Sequence, residues 1–169
     1  MHAFAVVLAA AIVTAALPLS SQSFAARVTA SRNVEDPMPF EIPSLRVKGL
    51  VHPAAGHRLF AVAISLGDEP IDTEVRRFVL AARDGTTYEP IGAGGRIDLI
   101  MPLDRIPVDK EVGEILPSDA IVSLTRRSAT SVELEVGPRG TIAFLYELPA
   151  AASVRGLILP DGRELATAQ

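Results

Sequence analysis

Large apolar side chains alternate with smaller or polar ones in several short segments after residue 57, with the period of two that characterises a β-strand. In Arg58–Leu66 the larger set is Phe60, Val62, Ile64 and Leu66. Ser131–Val136 alternates valine and leucine with serine and glutamate, and Thr141–Leu148 places both of its aromatic residues on the face of Ile142. We therefore predict three strands whose larger side chains face a core, the first of them central in its sheet.

Glycine, proline and aspartate separate these and further apolar runs at intervals of about ten residues. Asp84-Gly85 is the clearest turn, because glycine tolerates a positive φ. The further predicted strands are Val75–Ala82, Thr86–Ile91, Ile97–Met101, Ile121–Thr125, Val154–Leu159 and a tail strand around Arg163–Leu165. Many short strands with regular turns predict an all-β chain, folded as a sandwich or a barrel.

One segment has a different period. Apolar residues between 107 and 116 recur at helical spacing, and Pro107 suits the first turn of a helix. Gly113 lies inside this pattern and costs about 1 kcal/mol in a helix interior. We predict one short helix in the 107–116 region, with a loop as the alternative.

The first 25 residues have the organisation of a secretory signal peptide. Their apolar core, Ala3–Leu19, is too short and too quickly followed by polar residues to span a membrane comfortably. Ser23 and Ala25 suit a cleavage site, which predicts a mature chain that begins at Ala26. The residues before the apolar core include no lysine or arginine, so an uncleaved anchor and a buried helix are the alternatives.

The chain is thus predicted to have three parts. Residues 1–25 are the signal peptide, 26–43 an extended and partly flexible entry segment rich in proline, and 44–169 a single β-sandwich domain. There is no cysteine, so neither disulfides nor a lipid-modified cysteine can form, and the apolar core alone must hold the domain.

Charge narrows the range of partners. The chain has 16 lysines and arginines against 20 aspartates and glutamates, mixed along its length, for a net charge of −4. A nucleic-acid partner would usually require a basic stripe, so none is expected. We expect a periplasmic or extracellular protein without stable membrane insertion after signal cleavage, and the sequence leaves its oligomeric state open.

Four stretches occur in an order that carries a resemblance: Leu59–Ser65, Gly67–Ile71, Phe78–Pro90 and Phe144–Pro149. They resemble a bacterial family of secreted domains of unknown function, whose immunoglobulin-like fold is similar to that of the mycobacterial secreted immunogenic protein. The resemblance implies an immunoglobulin-like antiparallel β-sandwich in a secreted setting, and it supplies no site residues, because the family has no common activity. Leu66 replaces the family's usual asparagine, and the segment from 92 to 130 is longer than the family's connection.

Two histidines follow the predicted leader, His52 and His57, in the sequence His-Pro-Ala-Ala-Gly-His. Imidazoles bind zinc or copper, but no cysteine and no nearby carboxylate cluster completes a ligand set. We interpret both as surface-loop residues and keep them as the candidate metal ligands. No cofactor is expected.

Three other groups of residues have side chains or backbone that could take part in binding or catalysis. Gly92–Gly95 has the glycines of a phosphate-binding loop, but a predicted strand follows it, so we interpret it as a turn. Arg76-Arg77 and Arg126-Arg127 could grip a carboxylate or phosphate, although neighbours on a strand point to opposite faces. The third group could supply an acid–base pair or a calcium site, but we interpret it as a solvent-exposed face of the domain. It consists of Asp104, Arg105, Asp109, Lys110, Glu111 and Glu114.

The sequence has neither a Gly-x-Ser-x-Gly elbow nor a cysteine nucleophile, which argues against an acyl-transfer triad. We predict a non-enzymatic binding module that contacts another protein through loops or a sheet edge, with Gly92–Thr130 as its distinctive surface. One alternative is an exported hydrolase that uses carboxylates. The other is a carrier of a small ligand or metal that uses His52 and His57.

Overall fold

A computed structural model describes residues 25–42, 46–105, 111–112, 122–128 and 131–167. The predicted signal peptide lies outside these residues except for Ala25. In chain order the strands are β1 (Ala26–Asn33), β2 (Met38–Ile42), β3 (Val47–Val51), β4 (His57–Leu66), β5 (Ile71–Glu74), β6 (Val79–Ala82), β7 (Thr87–Tyr88), β8 (Gly92–Arg96), β9 (Leu99–Pro102), β10 (Glu111–Val112), β11 (Val122–Arg126), β12 (Val132–Val136), β13 (Thr141–Pro149), β14 (Val154–Ile158) and β15 (Glu164–Ala166). Among the described residues, two 3₁₀ turns, Val75–Arg77 and Leu103–Arg105, interrupt them. Across the described ranges, no helix has the length and apolar character needed to cross a membrane.

The strands of the described ranges pair antiparallel in four sheets. The largest has the order β1-β4-β13-β8-β9, and we call it the main sheet. Two four-stranded sheets, β10-β11-β12-β5 and β15-β14-β6-β7, contribute to the same core from the opposite side, and β2 and β3 form a separate hairpin. The chain is therefore all-β, and the prediction of an antiparallel sandwich is confirmed.

The central core lies between the main sheet and the two four-stranded sheets. The larger set of β4 and the aromatic set of β13 both face it, as the alternation predicts. Leu80, Leu124, Leu134 and Leu157 meet them from the opposite layer. Strand β4 lies between β1 and β13, so its predicted central position is also confirmed.

The second face of the main sheet is buried as well. It carries the smaller residues of β4, Leu59, Ala61 and Ala63, together with Ala143 and Leu145 of β13. Ile100 of β9 belongs to the same buried cluster, and Met38 of the hairpin packs with it. The alternation of large and small side chains thus reflects two packing layers, the smaller one under the hairpin.

Gly92–Gly95 is not the turn that its composition suggests. These four residues are buried and form most of β8, which pairs with β13 on one side and with β9 on the other. A Cβ on Gly92 would lie 2.8 Å from Cγ2 of Ile100, and one on Gly94 would lie 2.9 Å from the Ile100 Cα. Glycine is present because β9 approaches β8 too closely for a side chain.

Two other predictions change in detail. The entry segment 26–43 is extended, but its strands β1 and β2 pair with β4 and β3, so the described part of it belongs to the sheets of the domain. The predicted helix in the 107–116 region is wrong at Glu111–Val112, which form β10 and pair with β11. The rest of that segment lies outside the described residues.

A β-bulge determines which side chains of β14 face the core, a question that the sequence leaves open. The register against β6 shifts between Val154 and Gly156. Val154 and Leu157 can therefore both reach the core although they are three positions apart, a spacing that places residues on opposite faces of a regular strand.

Tyr146 of β13 places a hydroxyl inside the central core. It donates a hydrogen bond of 2.9 Å to the carbonyl oxygen of Phe78, and the Phe78 ring stacks on Phe144 with centroids 4.4 Å apart. Burial raises the pKa of Tyr146 well above its ordinary value, because a phenolate would lose its hydration there. The folded chain therefore requires the neutral phenol.

We expect Tyr146→Phe to lower the free energy of unfolding by about 1–2 kcal/mol at neutral pH, because the Phe78 carbonyl loses its donor. The folded-state pKa of Tyr146 lies above the unfolded value of about 10, so the wild type binds more protons folded than unfolded above that pH. Its stability is therefore complete below about pH 10 and is lost as the pH rises further. Urea unfolding between about pH 8 and about pH 11 should show a steeper alkaline loss for the wild type than for the variant. Parallel curves would contradict this prediction.

Candidate functional site

A cleft of about 570 Å³ lies where the β2–β3 hairpin meets the sandwich. Its lining comes from the hairpin, both 3₁₀ turns, the loop between β7 and β8, and strands β9, β11, β12 and β13. The volume falls within the range of roughly 300–1,000 Å³ that is typical of ligand sites. The cleft therefore collects side chains that are far apart in the sequence.

The hairpin supplies an apolar wall. In β3, Leu50 lies on the solvent-facing side and is 55% exposed, while Val51 is half-buried. Phe40 lies on the facing strand opposite Gly49, where a Cβ would come within 2.6 Å of its ring. Leu103, from the second 3₁₀ turn, packs partly against the core and adds to the wall.

One arginine from each of the two pairs noted in the sequence lines this cleft. Arg76 and Arg77 lie in a 3₁₀ turn rather than on the predicted strand, and both are exposed. Arg126 ends β11 with its side chain buried, whereas Arg127 is exposed and forms an ion pair with Glu133 at 2.7 Å. The expected divergence of neighbouring side chains therefore holds at the second pair, and it directs Arg126 to the cleft.

Arg76 is held in place by a short chain of contacts. Its Nε donates to Oε2 of Glu74 at 2.9 Å, and Oε1 of Glu74 accepts a hydrogen bond of 2.8 Å from the Ser131 hydroxyl. The Ser131 hydrogen bond, followed by the one from Arg76, lowers the pKa of Glu74. Glu74 therefore stays ionised and orients the guanidinium at the end of β5.

Three carboxylates line the same cleft: Glu89, Asp104 and Glu147. Asp104 Oδ2 lies 3.5 Å from Nε of Arg105, and Glu147 accepts a hydrogen bond from the backbone N–H of Ala54. Asp104 therefore has an ion-pair partner, and Glu147 has a hydrogen-bond donor. Positive and negative side chains are balanced in number in this cleft.

The two candidate metal ligands do not join one ligand set. His52 lines the cleft in the loop after β3, and its Nδ1 lies 3.4 Å from Oδ1 of Asp36, with both side chains exposed. His57 is the first residue of β4 rather than a loop residue, and its Nδ1 lies 3.2 Å from the Ala55 carbonyl oxygen. Within the part of the chain that is described, no group of three or more histidine, aspartate or glutamate side chains could hold a metal ion.

The charged group in the middle of the chain is only partly described. Asp104 and Arg105 reach the cleft, and Glu111 contributes backbone to β10, while Asp109, Lys110 and Glu114 lie outside the described residues. Sequence reasoning missed Leu50, Glu89 and Glu147 as site residues. No local pattern marks them, because three separate elements bring them together.

The fold and the cleft define a class: an antiparallel β-sandwich with an open surface cleft of mixed apolar and charged character. A comparison with protein-family models gave no match, and comparisons with curated proteins and with solved structures gave none either. The resemblance to the secreted family stays a prediction.

Proposed function

We propose that this protein is a non-enzymatic binding module, exported to the periplasm or the extracellular medium, that recognises another protein through the cleft at the β2–β3 hairpin. The observation that carries the proposal is one cleft in which an apolar wall and exposed guanidinium groups face the same space. Such a combination provides both contact area and orientation for a partner.

The openness of the cleft favours a macromolecular partner. Leu50, Arg76, Glu89 and Arg105 line it and are all exposed. Sites for small molecules usually enclose roughly 70–90% of the ligand surface. An open cleft with an exposed rim instead fits a segment that belongs to a larger partner.

Two sheet edges support the same assignment. Among the described strands, β5 and β7 are outer strands of their sheets, and they end immediately before the cleft residues of the Val75–Arg77 turn and of the β7–β8 loop. An extended partner segment can hydrogen-bond to such an edge. The cleft is therefore placed where an added strand would deliver its side chains.

Hydrolysis is the second candidate, because three carboxylates share the cleft. Binding is preferred, since Asp104 already has Arg105 as a partner and Glu147 already accepts the Ala54 N–H. A carboxylate that serves as nucleophile or base has to be available to the substrate. The carrier alternative has less support, because His52 and His57 contact different partners.

Leu50→Asp tests the proposal, because it places a charge on the apolar wall without disturbing the core. The immobilised protein should retain a partner from the exported proteins of the producing cell, and Leu50→Asp should retain it at least about tenfold less well. Lys48→Asp is the matched control, since Lys48 is exposed on the same face of β3 but does not line the cleft. A partner that Leu50→Asp retains as well as the wild type does, or no partner at all, would contradict the proposal.

A further inference from the structure

The charges of the cleft specify the partner further, and this inference rests on the proposed function. We propose that the cleft binds an extended peptide segment of the partner in which an aspartate or glutamate and a large apolar residue lie two positions apart, on the same face of the segment. The carboxylate binds Arg76, which lines the cleft together with Arg105 and Arg126. The apolar side chain packs on Leu50.

Arg76 is the best-prepared group for a carboxylate. Among the described residues, its guanidinium donates only through Nε, to Glu74, so its two Nη groups are left for another acceptor. Its side chain is 49% exposed. Because Glu74 already orients the guanidinium, binding immobilises little further side-chain freedom, and a planar fork can hold a carboxylate with two hydrogen bonds.

Two further arginines line the same cleft. Arg126 reaches it from β11 with only 7% of its surface exposed, and Arg105 reaches it from the second 3₁₀ turn. Three arginines from three separate elements therefore line one cleft.

The carboxylates in the same cleft limit how acidic the ligand is. Asp104 is matched by Arg105, and Glu147 by the Ala54 N–H, but Glu89 is exposed on the rim. A run of acidic residues or a polyphosphate would meet Glu89 and the overall net charge of −4. A single carboxylate close to Arg76 gains attraction without that repulsion.

The apolar wall accounts for the second feature of the ligand. Leu50 is the large hydrophobic residue that the described part of the chain exposes, and Phe40 and Leu103 also line the cleft. Leucine at 55% exposure leaves apolar area that a partner side chain can remove from water. The wall and the arginines line one cleft, and side chains two positions apart in an extended peptide share a face, so both can point into it.

A library of linear twelve-residue peptides displayed on phage is the probe. Selection on the purified protein should enrich peptides with an acidic residue two positions from a large apolar one. For a synthetic peptide from that selection, Arg76→Glu should raise the Kd at least about tenfold. Replacing the acidic residue of the peptide by lysine should restore affinity for Arg76→Glu and weaken binding to the wild type.

Arg155→Glu is the matched control and should change the Kd less than about twofold, because Arg155 makes its ion pair with Glu164 on another sheet and lies outside the cleft.

The remaining outcomes separate this inference from the proposed function. Selected peptides that lose binding on Leu50→Asp but not on Arg76→Glu overturn the acidic ligand and leave the cleft as the binding site. Peptides that tolerate both changes overturn the inference and the proposed function together. A selection without binders overturns the inference alone. Displacement of the peptide by low concentrations of decanoate would assign the cleft to a small organic acid, and it overturns the inference and the proposed function together.

Discussion

Gly94→Ala is expected to be among the most destabilising single changes in this protein. The added methyl group would collide with the carbonyl oxygen of Leu99, and it would lie 2.9 Å from the Cα of Ile100. Both atoms belong to the backbone of β9, so no side chain can rotate out of the way. β8 also pairs with β13 on its other side. β8 and β9 therefore cannot move apart unless the strand pairing at this edge of the main sheet breaks. We expect the free energy of unfolding to fall by about 3 kcal/mol or more, measured by urea denaturation.

Gly137→Ala provides the matched control for that experiment. Gly137 lies in the turn after β12, and a Cβ there would have open space within 4 Å. Its stability should change by no more than about 0.5 kcal/mol. Equal effects of the two substitutions would mean that β8 and β9 are not as close as described.

Phe144→Ala is expected to lower the free energy of unfolding by about 3–5 kcal/mol. Phe144 is fully buried on β13, stacks on Phe78 and belongs to the core between the main sheet and the opposite layer. Its removal leaves a cavity that β4 and β8, the neighbours of β13, cannot collapse to fill. Since small domains unfold with roughly 5–15 kcal/mol in total, the variant should be partly unfolded near physiological temperature.

Leu50→Ala is the matched control, because it removes an apolar side chain from the surface and not from the core. Leu50 is 55% exposed, so its truncation should change stability by less than about 0.5 kcal/mol. Thermal unfolding followed by circular dichroism would measure both variants. A loss below about 1 kcal/mol for Phe144→Ala would show that the central core tolerates a cavity there.

The candidate cleft could be predicted only in fragments. The arginine pairs and Asp104-Arg105 are visible in the sequence as charged groups, and alternation indicates that the arginines at 126 and 127 diverge. Which member of each pair shares a cleft depends on how the turn at Val75–Arg77 meets β11 and β12. Glu89 and Glu147 carry no local signal, because their role comes from elements distant in the chain.

The composition of β8 predicts a turn where the structure has a strand. A run of glycines usually marks a turn, since each glycine lowers strand propensity and adds freedom to the unfolded chain. Here the close approach of β9 outweighs that preference, because any side chain at Gly92 or Gly94 would meet β9. Only the pairing of the two strands reveals this.

By itself the sequence determined the all-β class and the strands that form the core. A period of two in β4, β12 and β13 depends on local backbone geometry, which places alternate side chains on opposite faces. The tertiary structure decided three other features. They are the pairing of the glycine-rich strand β8 with β9, the position of the hairpin over the second face of the main sheet, and the cleft that the hairpin borders. These features depend on contacts between residues far apart in the chain, and local periodicity carries no information about such contacts.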